Sequence, residues 1–272
     1  MAPAKVPTYR KKPRPGAALP HYADDDRRSL TTLHDAPLTT RKPLRCIELF
    51  AGAGGLALAA SHAGFEHDAL LEYNHNACET IRANQRRGYE PARHWPLIEG
   101  DVHHQDFTAW HGRADLVSGG PPCQPFSIGG KHRAMGDRRN LFPEAARVVR
   151  EVQPRVFVFE NVKGLTRQSF AKYFGYIVLQ LSYPGVVRRE REDWLEHLVR
   201  LERLRTEGTD PGYHYRVVWR LLNAADYGVP QRRERVFFVG FRSDIQIPWS
   251  FPSPTHSREA LQLAQWVTGD YW

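Results

Sequence analysis

The stretch Leu44-Arg45-Cys46-Ile47-Glu48-Leu49-Phe50 runs without a break into Ala51-Gly52-Ala53-Gly54-Gly55, and this junction decides the fold. The residues before the turn form a short, mostly apolar run of strand length. The glycines strip side chains from the turn, so backbone there can approach a neighbour or a ligand closely. Leu56 to His62 then read as helix. Strand, glycine-rich turn and helix make the opening of a βαβ unit. The turn lacks the full dinucleotide-binding glycine pattern and no phosphate-loop lysine follows, so it is not read as a phosphate cradle. Taken alone, it is equally a tight turn without a ligand.

Outward from this junction the pattern repeats. Ala69-Leu70-Leu71 ends at Glu72, and Asn74 can cap a helix carrying Ala77 and Ile81. Pro96-Leu97-Ile98 leads to Gly100-Asp101, and Ala114-Asp115-Leu116-Val117 leads to Ser118-Gly119-Gly120. Leu141, Ala145, Val148, Val149 and Val152 fall at helical spacing, and Arg155 to Phe159 makes a fifth strand closing on Glu160-Asn161. Strands alternating with helices imply an α/β fold with a doubly wound, mostly parallel sheet. Residues 182–210 break the rhythm with charge, while Trp194, Leu195, Leu198, Leu201 and Leu204 keep a helical step. This predicts an inserted amphipathic helix. Tyr215 to Leu222 and Arg235 to Phe241 are joined by a short connector, so they are expected to pair antiparallel as an edge hairpin.

Residues 1–43 are basic and proline-rich and read as a poorly ordered arm. The main domain is placed at residues 44–250, with 251–272 beginning a further region. Of the 272 residues, 41% are hydrophobic, which fits a folded core. Lys and Arg outnumber Asp and Glu by 38 to 30, a net charge of +8 that suits a polyanionic partner. No apolar run approaches the roughly 18 residues of a membrane helix, and the N-terminus has no secretory apolar core. Cys46, Cys78 and Cys123 match neither a CxxC zinc site nor an even disulfide framework. No metal or membrane is therefore expected, and Cys46 and Cys78 read as packing residues.

Ligands of open α/β sheets bind beyond the carboxyl ends of the strands. Phe50 to Gly55, Glu72, Asp101, Pro121 to Ser127 and Glu160 all fall at such ends, on five different strands. There Glu72 can accept both hydroxyls of a ribose, and Asp101 can accept from an adenine amino group. Two acids without a phosphate cradle suit a nucleoside lacking pyrophosphate, which points to S-adenosylmethionine. In Gly119-Gly120-Pro121-Pro122-Cys123-Gln124-Pro125-Phe126-Ser127, a cysteine held between prolines at a strand end is unlike the buried, inert kind.

Four segments, ELFAGAGG, GGPPCQPFS, FENVKGL and QRRERVFFVGF, occur in this order over about residues 44–256. The chain thereby resembles the DNA (cytosine-5)-methyltransferases. The resemblance implies a sheet of the S-adenosylmethionine-dependent methyltransferase type, with duplex DNA as substrate and a bacterial, cytoplasmic, nucleoid-associated setting in restriction-modification. It implies that Cys123 adds to C6 of cytosine, making C5 nucleophilic enough to attack a sulfonium methyl. Glu160 would hold N3 and the exocyclic amine, its carboxyl kept protonatable by an apolar pocket. Arg235 would contact the base O2 and Arg233 would position the loop. By alternation Arg233 and Arg235 share one strand face, with Arg232 and Glu234 on the other.

Cofactor contacts are expected from Phe50, Ala51, Gly52, Gly54, Gly55, Leu56, Glu72, Tyr73, Asp101, Val102, Pro121 and Leu141, with Phe50 and Leu141 on either side of the adenine. Gln124, Ser127, Lys131, Arg133 and Arg138 are expected to meet DNA, the basic loop closing on phosphates and an extruded nucleotide. Two alternatives stand beside this reading: a tRNA cytosine-5 methyltransferase, and a catalytically silent cofactor- or DNA-binding subunit. Family members continue past the Phe251-Pro252-Ser253-Pro254-Thr255-His256 stretch into a target recognition domain and two terminal motifs. Their absence here implies either a second polypeptide that carries them or a truncation.

Overall fold

The computed structural model describes residues 42–122, 140–208 and 212–269. Almost the whole 1–43 arm, Cys123 and the loop contacts Gln124, Ser127, Lys131, Arg133 and Arg138 lie outside the described residues.

The strands are β1 (Leu44–Leu49), β2 (Phe65–Glu72), β3 (Leu97–Glu99), β4 (Leu116–Gly119), β5 (Val156–Val162), β6 (Tyr215–Asn223) and β7 (Glu234–Arg242). They form one sheet in the order β3-β2-β1-β4-β5-β7-β6. β3, β2, β1, β4 and β5 run parallel, whereas β7 pairs antiparallel with both β5 and β6. The expected parallel sheet with an antiparallel edge is thus the observed one. From β1 the chain winds outward through β2 and β3, then returns to place β4 and β5 on the other side. This reversal opens a crevice between the carboxyl ends of β1 and β4.

Helices α1 (Gly55–His62), α2 (His75–Arg86), α3 (Phe142–Val152), α4 (Ala171–Ser182), α5 (Trp194–Glu207) and α6 (Arg258–Leu263) complete the described regular structure with short 3-10 and π turns. The two faces of β1 feed different layers, as strand alternation requires. Ile47 and Leu49 enter the large core with α3 and α4, while Cys46 clusters with Ala60 of α1 and Leu116. Asn74 caps α2 by accepting from the Ala77 amide at 3.1 Å. The inserted segment forms α5, opened by a reciprocal capping box between Asp193 and Glu196. Its Leu198 and Leu201 are buried against the core.

Among the elements that differ from expectation are β2 and α4. β2 begins at Phe65 rather than Ala69, because the polar Glu66 and Asp68 are paired across the sheet by Arg45 of β1. α4 has no counterpart in the sequence reading. It buries Tyr173, Phe174, Tyr176, Ile177, Leu179 and Leu181, too much of its circumference for an amphipathic signature. No helix of the described residues is long and apolar enough to cross a membrane.

Candidate functional site

The site begins at the turn after β1. Phe50 takes a left-handed conformation with φ of 55°, rare for a side chain of this bulk. The turn is held from two directions: the Ala51 amide donates to Leu71 O at 3.1 Å and the Gly54 amide to Ala51 O at 2.9 Å. Gly54 is required twice over. Its φ is 91°, and an added Cβ would lie 2.5 Å from the Trp95 ring. At the end of β4, a Cβ on Gly119 would collide with the Leu49 carbonyl, so only glycine lets the two strand ends close up.

Glu72, closing β2, braces this wall. Its Oε2 accepts from the Gly52 amide at 2.7 Å and its Oε1 from the Asn74 amide at 2.6 Å. Each carboxylate oxygen keeps a further lone pair, so the brace leaves acceptor capacity. Beside it opens a cavity of about 360 Å³ lined by Phe50, Leu71, Glu72, Tyr73, Gly100, Asp101, Val102, His103, Pro122 and Leu141. Six of the expected cofactor contacts line it: Phe50, Glu72, Tyr73, Asp101, Val102 and Leu141. Ala51, Gly52, Gly54, Gly55, Leu56 and Pro121 are not lining residues; the first five build the turn and the start of α1. Pro122 stands in the lining where Pro121 was expected.

Asp101 is less free than expected. Its Oδ1 accepts from the His103 amide at 3.0 Å and meets His103 Nδ1 at 2.7 Å. These contacts hold the Asp101 carboxyl below its usual range, the backbone amide foremost. His103 escaped the sequence reading, although an Asp two residues before a His at a strand end is an Asx-turn signal.

A second cluster sits at the end of β5. Arg235 Nε lies 2.8 Å from Glu160 Oε1, and an Arg233 guanidinium nitrogen lies 3.7 Å from the same oxygen. Glu160 is thus paired with an arginine, and its side chain is about one-quarter exposed. Both arginines do reach one carboxylate, although β7 starts only at Glu234 and Arg233 precedes the strand. Glu234 turns the other way and pairs with Lys163 at 2.7 Å.

The neighbouring Asn161 ties this cluster to the loop of Cys123. Its buried Nδ2 donates to Pro121 O at 2.8 Å. A Cβ on Gly120 would stand 3.5 Å from Glu160 Oε2, so the loop begins alongside that carboxylate. The Leu141 amide donates to Pro122 O at 3.0 Å, which joins Pro122 to the N-cap residue of α3.

Comparison with known proteins identifies the family. A family model, "C-5 cytosine-specific DNA methylase", matches residues 44–185 and 195–266. The chain is 36% identical over 208 residues to the Type II methyltransferase M.NgoMIV of Neisseria gonorrhoeae, covering 76% of this chain and 55% of that protein. To the Type II methyltransferase M.AquIA of Picosynechococcus it is 37% identical over 229 residues, covering 80% of each. A solved candidate DNA modification methyltransferase from an E. coli prophage superposes with a TM-score of 0.51 at 27% identity, covering 76% of this chain and 49% of that one. The chain spans about half the length of several relatives, M.NgoMIV (55%) and M.PspPI of Psychrobacter (44%) among them. With its sheet, its strand-end crevice and its matched motifs, the chain belongs to the C-5 cytosine-specific DNA methylase family.

Proposed function

We propose that this chain carries the catalytic part of a DNA (cytosine-5)-methyltransferase of a restriction-modification system. The observation that carries the reading is the Glu160–Arg235 pair, tethered through Asn161 and Pro121 to the loop of Cys123, beside the strand-end cavity.

The cavity suits S-adenosylmethionine. Acidic Glu72 and Asp101 offer acceptors to a ribose and an amino group, while Phe50, Val102 and Leu141 supply apolar faces for a purine. Bound there, the cofactor supplies a methyl group on an electrophilic sulfonium. The protein's own part is to make cytosine C5 able to take it. The Cys123 thiolate adds to C6, electron density moves to C5, and C5 accepts the methyl group. Loss of the C5 proton and departure of the thiolate then restore the aromatic ring. Glu160 holds the N3 edge through this cycle, with Arg235 fixing its carboxylate and Arg233 close by. Gln124, Ser127, Lys131, Arg133 and Arg138 meet the DNA backbone and the extruded nucleotide.

A second polypeptide carrying a recognition segment is the further partner this reading proposes. The exposed Leu261, Leu263, Trp266 and Val267 along and after α6 support this, since a solvent-facing apolar stretch of this kind marks a contact surface.

The test is trapping on duplex DNA carrying 5-fluorocytosine, with the cofactor and any required partner present. Fluorine blocks the final elimination, so a denaturation-resistant complex is expected with the wild type and none with Cys123→Ser. Trapping by the variant at the wild-type level would remove Cys123 from the mechanism. Equal or better methylation of tRNA would move the substrate from DNA to RNA. Cofactor binding without methyl transfer, even with a partner, would make the chain a silent subunit.

A further inference from the structure

Beneath the glycine-rich turn lies a polar cluster that the methyl-transfer reading leaves unused. Cys46 and Glu48 stand two apart on β1 and so face the same side of the sheet. His67 is the register partner of Cys46 on β2, and Ser118 is the register partner of Glu48 on β4. The four residues are 0%, 1%, 7% and 1% exposed. One donor atom each from Cys46, Glu48 and His67 lies within 4.8 Å of the other two.

The hydrogen bonds around the cluster are organised. Ser118 donates its hydroxyl to Glu48 Oε2 and lies 3.5 Å from Cys46 Sγ. His67 Nδ1 lies 3.4 Å from Ser61 Oγ, which itself accepts the Trp95 indole N–H at 3.1 Å. His67 Nε2, by contrast, is buried with no hydrogen-bond partner among the described residues. An orphaned buried ring nitrogen costs free energy, and it requires an explanation. With the ring hydrogen on Nδ1 facing Ser61, Nε2 presents a bare lone pair, the form in which imidazole binds metals.

We propose that Cys46, Glu48 and His67 form a binding site for a zinc-class divalent ion. Thiolate, carboxylate and imidazole are the donors such ions take in tetrahedral sites. Two anionic ligands neutralise the dication, so the filled site has no net charge, as its burial demands. Donors around tetrahedral zinc stand roughly 3.5 Å apart, so binding would draw donors that now lie within 4.8 Å of one another closer together. Ser118 and Ser61 then act as the outer hydrogen-bonding partners that orient ligands. Cysteine spacing gave no hint of such a site because its ligands come from two strands rather than one local motif. The ion would clamp β1 to β2 directly below the Phe50–Gly55 turn.

The experiment uses the full chain, stripped with chelator, desalted, and titrated with zinc or cobalt alone. Expected are about one zinc retained per chain, a thiolate-to-cobalt charge-transfer band, and a higher thermal midpoint with zinc. Cys46→Ala should abolish the band, and His67→Gln should weaken zinc binding by about tenfold or more. His67→Gln serves alone if Cys46→Ala does not fold. A folded wild type that retains no zinc and gives no band overturns the proposal. So does a band of wild-type strength in Cys46→Ala, which would assign the thiolate to Cys78 or Cys123.

Discussion

Arg235 Nε lies 2.8 Å from Glu160 Oε1, an ion pair across the antiparallel pairing of β5 with β7. Arginine and carboxylate are each about one-quarter exposed, so the pair sits where solvent only partly screens it. The guanidinium places its charge against one carboxylate oxygen, while its Nη1 donates to the Glu234 carbonyl at 2.8 Å.

Arg235→Ala is accordingly expected to lower methyl transfer by about a hundredfold or more, the scale of losing a positioned acid–base group. Cofactor affinity should stay near the wild-type value, because Arg235 does not line the cavity. Arg235→Lys keeps the charge but loses the donor to the Glu234 carbonyl, and should recover only part of the rate. Single-turnover transfer and calorimetric cofactor binding separate the two effects. A full-rate Arg235→Ala would remove this pair from catalysis.

Glu72 has a double role in the structure, bracing the Gly52 and Asn74 amides while facing the cavity. Glu72→Ala should therefore weaken S-adenosylmethionine binding by about 1–3 kcal/mol and also lower the thermal midpoint without ligand. Asn74→Ala removes the α2 cap but not the carboxylate, so it should lower stability and spare affinity. Equal affinity losses in both variants, by calorimetry, would show that Glu72 acts only through the fold.

His197 sets a pH dependence of its own. Its Nε2 lies 2.8 Å from the Val186 carbonyl, which can only accept, so that nitrogen carries the hydrogen. Its Nδ1 then accepts from the Tyr176 hydroxyl at 2.8 Å. Burial, the largest cause, holds the ring's pKa below its ordinary value. A lowered folded pKa means that the unfolded chain binds the proton more readily. The stabilisation is full above the unfolded value of about 6.5 and is lost as pH falls below it towards the folded value. His197→Gln should be less stable at pH 7.5, but it should lose less than the wild type between pH 7.5 and pH 5. Denaturant midpoints across that range test it; parallel losses would assign the dependence to other groups.

The strand-end layout was legible because strand and helix periods alternate cleanly around each turn. Asn74 before an apolar-periodic run, and the short connector ahead of Arg235, carried their structure in local spacing. What escaped was set by contacts distant in sequence. β2 starts early because Arg45 pairs with Glu66 and Asp68, and α4 hides its period by burying most of its circumference. At the site, Leu71, Gly100, His103 and Pro122 join the cavity through strand ends that only the sheet order brings together. The arginine beside Glu160 was expected to touch the base, and its ion pair with that carboxylate comes from the register of β5 with β7.

Asn161 offers the most direct test of the role proposed for Cys123. It is buried, its Nδ2 donates to Pro121 O at 2.8 Å, and its Oδ1 accepts from the Val162 amide at 2.9 Å. Pro121 lies two residues before Cys123, so this bond sets where the cysteine loop leaves the sheet. Asn161→Ala leaves a carbonyl and an amide without their partner, at a cost of about 1–3 kcal/mol of stability for a buried group. Asn161→Asp keeps the acceptor towards Val162 but sets an oxygen against the Pro121 carbonyl, which repels it. If the bond positions Cys123, both variants should lose methyl-transfer rate and 5-fluorocytosine trapping together while binding cofactor normally. Asn161→Asp should be the slower of the two despite retaining one of the native hydrogen bonds. A purely structural role would instead make rate follow stability, with the better-bonded variant the faster. Thermal midpoints measured beside trapping rates decide between these orders.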